Sequence, residues 1–209
     1  MAGRIEIDLF STLDGVMQAP GGPEEDPSGG FGFGGWQAPM NDEAVGVQVI
    51  EGIRRMDALL LGRRTYDIFA AYWPNQLAGD RGAENEIAAA FDAIPKYVAS
   101  RGEPELPWRD SHLLGLDLAS EVDALRERHR EVHVIGSIEF VHTLLAEGLF
   151  DELNLWVYPI LLGTGKKVFD DNALPSVLRL LRPPVTDEAG VTVLRYGRTD
   201  RVPEVGTFG

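Results

Sequence analysis

The run Ala58-Leu59-Leu60-Leu61 is apolar at every position and breaks at once into Gly62-Arg63-Arg64-Thr65. A strand with no polar face has to be covered on both sides, as strands are in a parallel sheet flanked by helices. Neighbouring segments agree with that architecture. Ile5, Ile7 and Leu9 alternate through residues 4–13 as an opening strand. Further short strands are expected at Pro95-Lys96-Tyr97-Val98-Ala99-Ser100, at Glu131-Val132-His133-Val134-Ile135 and around Leu153, Leu155 and Val157. Between them lie helical patterns. Asn41-Asp42-Glu43 reads as a helix start, followed by Val45, Val49, Ile53 and Met56 at helical spacing up to Asp57. A short helix is expected from Arg63 through Ile68 and Phe69, with others at Ile87 to Phe91, at 118–130 and around Phe140, Val141, Leu144 and Leu145. Val177 to Leu181 and Val191 to Tyr196 suit a closing antiparallel hairpin across Pro183-Pro184 and Ala189-Gly190. Strands alternating with helices and ending in a hairpin make an α/β fold with a mixed sheet.

The 209 residues, 44% of them hydrophobic, suffice for one core, so a single domain over 1–209 is expected. One stretch departs from the alternation. Residues 15–40 are rich in Gly and Pro, and an unstructured loop of that length inside a domain is usually functional or disordered. Its Phe31, Phe33 and Trp36 argue for a lid rather than a solvated linker. Cysteine is absent, which excludes a disulfide framework and thiolate metal sites. The opening Met1-Ala2-Gly3-Arg4 lacks signal-peptide character and no apolar run approaches the length of a membrane span, so a cytoplasmic protein with no membrane partner is expected. A net charge of −14 argues against nucleic acid as a partner. An anionic ligand must then meet local positive charge or backbone amides.

Three places offer that. Gly62-Arg63-Arg64-Thr65 and Gly136-Ser137-Ile138 each follow a strand and open a helix, and Ser100-Arg101 follows a strand without a helix. Helix N-termini carry unpaired N–H groups and partial positive charge, so they hold phosphate. Each signal alone is also what an ordinary turn looks like. In an open α/β sheet, however, the carboxyl ends of parallel strands share one side, so the three loops can converge on one ligand. Arg63, Arg64 and Arg101 are candidates for a 2′-phosphate, which distinguishes NADPH from NADH.

Several motifs fail on their context. Gly30-Phe31-Gly32-Phe33-Gly34-Gly35 fits G-x-G-x-x-G, yet no strand precedes it. Gly163-Thr164-Gly165-Lys166-Lys167 lacks the glycine and the hydroxyl residue of a phosphate-binding P-loop. His129 and His133 are four apart but straddle a helix-to-strand junction without an evident ligand set; they, His112 and His142 read as structural or solvated, and no metal is expected. Asp151-Glu152 is either a polar turn, the favoured reading, or a carboxylate pair for acid–base work. Asp14, at the end of the first strand in Ser11-Thr12-Leu13-Asp14-Gly15, can either orient a substrate or simply make a turn with Gly15.

Taken in order, Ser11-Thr12-Leu13-Asp14-Gly15, Leu61-Gly62-Arg63-Arg64-Thr65-Tyr66, Lys96-Tyr97-Val98-Ala99-Ser100, Ile135-Gly136-Ser137, Gly148-Leu149-Phe150-Asp151-Glu152-Leu153 and Pro159-Ile160-Leu161-Leu162-Gly163-Thr164-Gly165 resemble bacterial proteins related to the reductase domain of riboflavin biosynthesis and to dihydrofolate reductase. The resemblance spans Ile5 to Tyr196. It implies a dihydrofolate reductase-like three-layer fold, with a mostly parallel mixed sheet of about eight strands, flanking helices and a C-terminal hairpin. It also implies NADPH as hydride donor, a small planar heterocyclic substrate of pterin, flavin or pyrimidine type, and often a homodimer. Leu13, Gly62, Arg63, Arg64, Thr65, Ser100, Arg101, Gly136, Ser137, Ile138 and Thr164 correspond to cofactor positions. Thr12, Asp14 and Trp36 correspond to the substrate side, with Trp36 in the lid. Ser137 replaces the second glycine of the dihydrofolate reductases. The folate-binding carboxylate on the first helix has no clear counterpart, Asp42 and Glu43 being near its start but without a fixed register. The residues name no catalytic proton donor. A non-catalytic nucleotide-binding or ligand-sensing protein is the rival reading, and the lid aromatics also suit a dimer surface.

Overall fold

The structure, a computed structural model, describes residues 2–40, 43–78 and 82–207, with the backbone alone for 43–45. Nine strands form one sheet: β1 Arg4–Thr12, β2 Ala58–Gly62, β3 Lys96–Ala99, β4 Ser111–Leu113, β5 Glu131–Val134, β6 Glu152–Tyr158, β7 Arg179–Leu180, β8 Val185–Thr186 and β9 Thr192–Gly197. Their order is β4-β3-β2-β5-β1-β6-β9-β7, with β8 also on β9. Pairings from β4 through β6 are parallel and those of β9 are antiparallel. The expected mixed sheet is thus present, with nine strands instead of about eight. The short edge strand β4 has no sequence pattern of its own.

Among the described residues five α-helices cover the sheet: α1 Glu43–Ile53, α2 Arg63–Gln76, α3 Ala83–Ala93, α4 Leu118–Arg128 and α5 Ile138–Glu147. Residues of α4 and α5 pack with Ile5, Ile7, Leu9, Ala58 and Leu60 in one core cluster. Residues of α1, α2 and α3 pack with Leu59 and Leu61 in another. Adjacent residues of β2 therefore feed opposite cores, and Ala58 to Leu61 are fully buried. At about 1.5–3 kcal/mol per buried leucine this strand alone anchors the three layers.

Three boundaries differ from the sequence expectation. Helix α2 runs to Gln76, well past Phe69, because Phe69 stacks on Phe91 of α3 at a centroid distance of 5.8 Å and Trp73 meets the same ring edge-on at 5.2 Å. The first strand of the closing hairpin shrinks to Arg179–Leu180, since Val177 donates instead to the carbonyl of Arg201. Asn41 and Asp42, the expected helix start, lie outside the described residues, as does the side chain of Glu43.

The 15–40 segment is not a bare loop. Phe31 and Trp36 are buried with Trp156, Tyr158, Val191 and Val193 in a third cluster, and the Trp36 indole N–H donates to the carbonyl of Gln18 at 2.9 Å. Phe33 stays half exposed.

Candidate functional site

Parallel pairing places Gly62 beside Ala99, and the Gly62 N–H donates to the carbonyl of Gly136 at 3.2 Å. The carboxyl ends of β2, β3 and β5 therefore open on one cleft, a cavity of about 1030 Å³. It is lined by Gly62 to Thr65, Ser100 to Gly102 and Gly136 to Ile138, so the three predicted phosphate loops do meet.

Two glycines make that approach possible. A Cβ on Gly62 would fall 2.2 Å from Ser137 Oγ and 2.8 Å from Phe140 Cβ. Gly136 has φ +92°, and a Cβ there would meet Thr65 Oγ1 at 2.8 Å; its peptide bond to Ser137 is cis. The N-termini of α2 and α5 consequently lie side by side. Neither Gly62 nor Ser137 caps its own helix through a side-chain hydrogen bond, although Ser137 Oγ accepts from the Thr65 amide of α2 at 3.4 Å, whereas Asp117 caps α4 away from the cleft. First-turn amides beside a cavity form an anion cradle.

The arginines at the cleft all have carboxylate partners. Arg63 bonds Asp67 one turn on at 2.6 Å, Arg64 lies 3.6 Å from Asp26, and Arg101 lies 3.4 Å from Glu139. All three side chains are substantially exposed, so these pairs contribute little and give way to a stronger anion. Asp26 also accepts a hydrogen bond from Lys166 at 2.6 Å. Burial pushes its carboxyl up, but bonds from Lys166 and Ser28 outweigh that and hold it below the ordinary range. The 15–40 segment thus borders the cleft through Ala19 to Gly21, Glu25, Asp26 and Gln37, pinned at its rim by Lys166. Lys166 had been passed over with the rejected P-loop pattern.

The sheet contributes one more ionisable group, Asp8. Its carboxylate accepts from Asn154 Nδ2 at 2.9 Å and bonds His133 Nδ1 at 2.5 Å. Behind His133, its Nε2 lies 3.8 Å from Glu6 Oε2, and both residues are 1% exposed. Burial disfavours the His133 imidazolium, yet the charges of Asp8 and Glu6 prevail and raise its pKa. Burial likewise raises the Glu6 carboxyl. His133 is therefore the structural histidine of the two alternatives, with Asp8 and Glu6 as carboxylate partners that its spacing from His129 does not reveal. Glu131 adds a third donor to Glu6 and His133, but the guanidinium groups of Arg4 and Arg55 bond its carboxylate. Alternation along β1 puts Glu6 and Asp8 on one face, and pairing with β5 sets His133 opposite Glu6. The sequence signal was there in the charged residues of a buried strand.

Other predicted site residues lie apart from the cleft lining. Asp14 accepts from Thr12 Oγ1 at 2.6 Å, Gly163 N at 2.8 Å and Leu162 N at 3.3 Å. The Thr12 bond, followed by those amides, holds its pKa down. These contacts describe the turn-forming alternative, tying the end of β1 to the loop after β6. Leu13 is 65% exposed and Thr164 is exposed on that loop, while Trp36 faces the third core cluster.

Comparison with known proteins gives a consistent result. The family model described as the RibD C-terminal domain matches residues 4–189. An uncharacterized protein, YyaP, of Bacillus subtilis strain 168 is 27% identical over 173 residues, covering 80% of this chain and 81% of its own. A putative riboflavin biosynthesis protein from Shewanella sp. PV-4 shares the fold with a TM-score of 0.66 at 20% identity, over 95% of this chain and 99% of that one. A pyrimidine reductase-like protein from Corynebacterium diphtheriae gives 0.61 at 13% identity, over 95% and 93% of the two chains. RibD of Acinetobacter baumannii gives 0.61 at 15% identity, over 95% of this chain and 59% of its own.

Proposed function

This chain belongs to the RibD C-terminal domain family, and from that premise we propose that it is an NADPH-dependent reductase of a pyrimidine-like heterocycle. The observation that carries the proposal is the meeting of two helix N-termini, neither capped by its own N-cap side chain, and three arginines in one cleft. The donor set fits the cofactor. First-turn amides of α2 and α5 suit a pyrophosphate, Arg63 and Arg64 a 2′-phosphate, and Ser100 and Arg101 the adenosine side. Bound there, the cofactor supplies the hydride. The protein's part is to orient the reactants, exclude water and manage one proton.

Asp8, in place of Asp14, is the carboxylate this reading assigns to the substrate. His133 and Asn154 fix its oxygens while its remaining lone pairs face the cleft. From that position it can accept an N–H of the heterocycle or relay a proton from His133 Nδ1 to the heteroatom beside the reduced carbon.

The test follows NADPH absorbance with 5-amino-6-(5-phosphoribosylamino)uracil, the compound for which a Thermotoga maritima structural neighbour is named. Oxidation that Asp8→Asn slows about 100-fold, with NADPH affinity unchanged, is expected. Cofactor binding with no oxidation of NADPH by this or any related heterocycle would favour a sensing role instead.

A further inference from the structure

On the same sheet face as Asp8, but toward the starts of β1 and β6, lies a second cavity of about 200 Å³. Arg4, Arg55, Arg182, Arg195, Glu6 and Glu152 give it its charge. We propose that this cavity is an anion site, distinct from the cofactor cleft, in which Arg182 and Arg195 hold a phosphate group.

Arg4 bonds Glu131 and Glu152, each at 2.8 Å, and Arg55 bonds Glu131 at 3.2 Å. Those pairs answer Glu131 and Glu152, and the buried Glu6 carboxylate faces Arg4 at 3.3 Å and Arg55 at 3.8 Å. Arg195 is only 9% exposed, and the bond it makes is to the neutral Gln48 Oε1 at 2.7 Å. Arg182 stands close enough for the two cations to repel, and among the described residues neither is ion-paired to a carboxylate. Keeping a guanidinium buried without an anion is costly, and a cavity at its side is where the missing charge fits.

The volume sets the ligand's size. It falls below the roughly 300–1,000 Å³ of pockets for drug-sized ligands, so the site takes one oxyanion or the charged end of a longer molecule. Guanidinium forks favour phosphate in either form. In a chain of net charge −14, a local excess of two positive lining groups (four arginines against two glutamates) stands out.

The experiment is thermal unfolding in chloride buffer with and without inorganic phosphate, on the full chain and two variants. Phosphate is expected to raise the melting temperature of the wild type by about 2–4 °C. The rise should persist in Arg63→Gln/Arg64→Gln, whose cleft is altered, and vanish in Arg182→Gln, an exposed change that leaves the core intact. Arg195→Gln should behave like Arg182→Gln if it folds. The same result with ribose 5-phosphate would show that the site takes an ester as well as the free ion. Absence of any rise in the wild type, or a rise that follows Arg63 and Arg64 instead, overturns the proposal. So does a wild-type dimer that Arg182→Gln dissociates, because a second copy would then supply the counter-charge.

Discussion

At the residue scale the informative side chains are polar ones placed inside the sheet. Glu6, Asp8 and His133 sit on a face that elsewhere carries Phe10, Trp156 and Val193, so their burial is paid for by each other's charge. His133 titrates above its usual 6.5: burial opposes protonation, and the neighbouring carboxylates overcome it, with Arg55 a minor opposing charge. A raised folded-state pKa contributes stability that is full below the unfolded value and is lost as pH rises through the folded one. Urea unfolding of the wild type and of His133→Gln should therefore differ more at about pH 6 than at about pH 9. A gap that is constant, or larger at the higher pH, would contradict the imidazolium reading. None of this was visible from His133 in isolation, because its partners are 125 residues away on β1.

At the scale of elements, the strand-to-helix joints shape the cleft. Gly62 ends β2 where any Cβ would strike Ser137 and Phe140, so β2 and β5 approach only because that side chain is absent. Gly62→Ala is expected to cost about 1–3 kcal/mol through overpacking and to weaken cofactor binding by separating the two helix N-termini. Denaturant midpoints and cofactor titration on the same variant check both; wild-type behaviour in both would remove the close-approach argument. The sequence made these joints legible because apolar runs ending in glycine and basic or small residues are local signals. The short strand β4, the length of α2 and the packing of Trp36 were not legible, since each depends on a partner far along the chain. The same holds for Asp14 and Asp8: both are acidic residues on β1 or at its end, and only pairing and side-chain direction separate the turn-former from the one that faces the cleft.

For the whole molecule, three layers and a cleft at the carboxyl ends of parallel strands follow from alternation of strand and helix with a fully apolar β2. No helix among the described residues is long and apolar enough to cross a membrane. With a net charge of −14, anion binding depends on arginines gathered locally, against a repulsive background that salt screens. The central claim is therefore about which nucleotide the cleft prefers. Parallel fluorescence titrations with NADPH and NADH, read through Trp73 on the cleft wall, test it most directly. NADPH should bind at least about tenfold tighter, since even one charge-assisted bond to the 2′-phosphate contributes about 1.5–3 kcal/mol, and Arg63→Gln/Arg64→Gln should erase the difference. Equal affinity for both nucleotides, or binding of neither, would contradict the account.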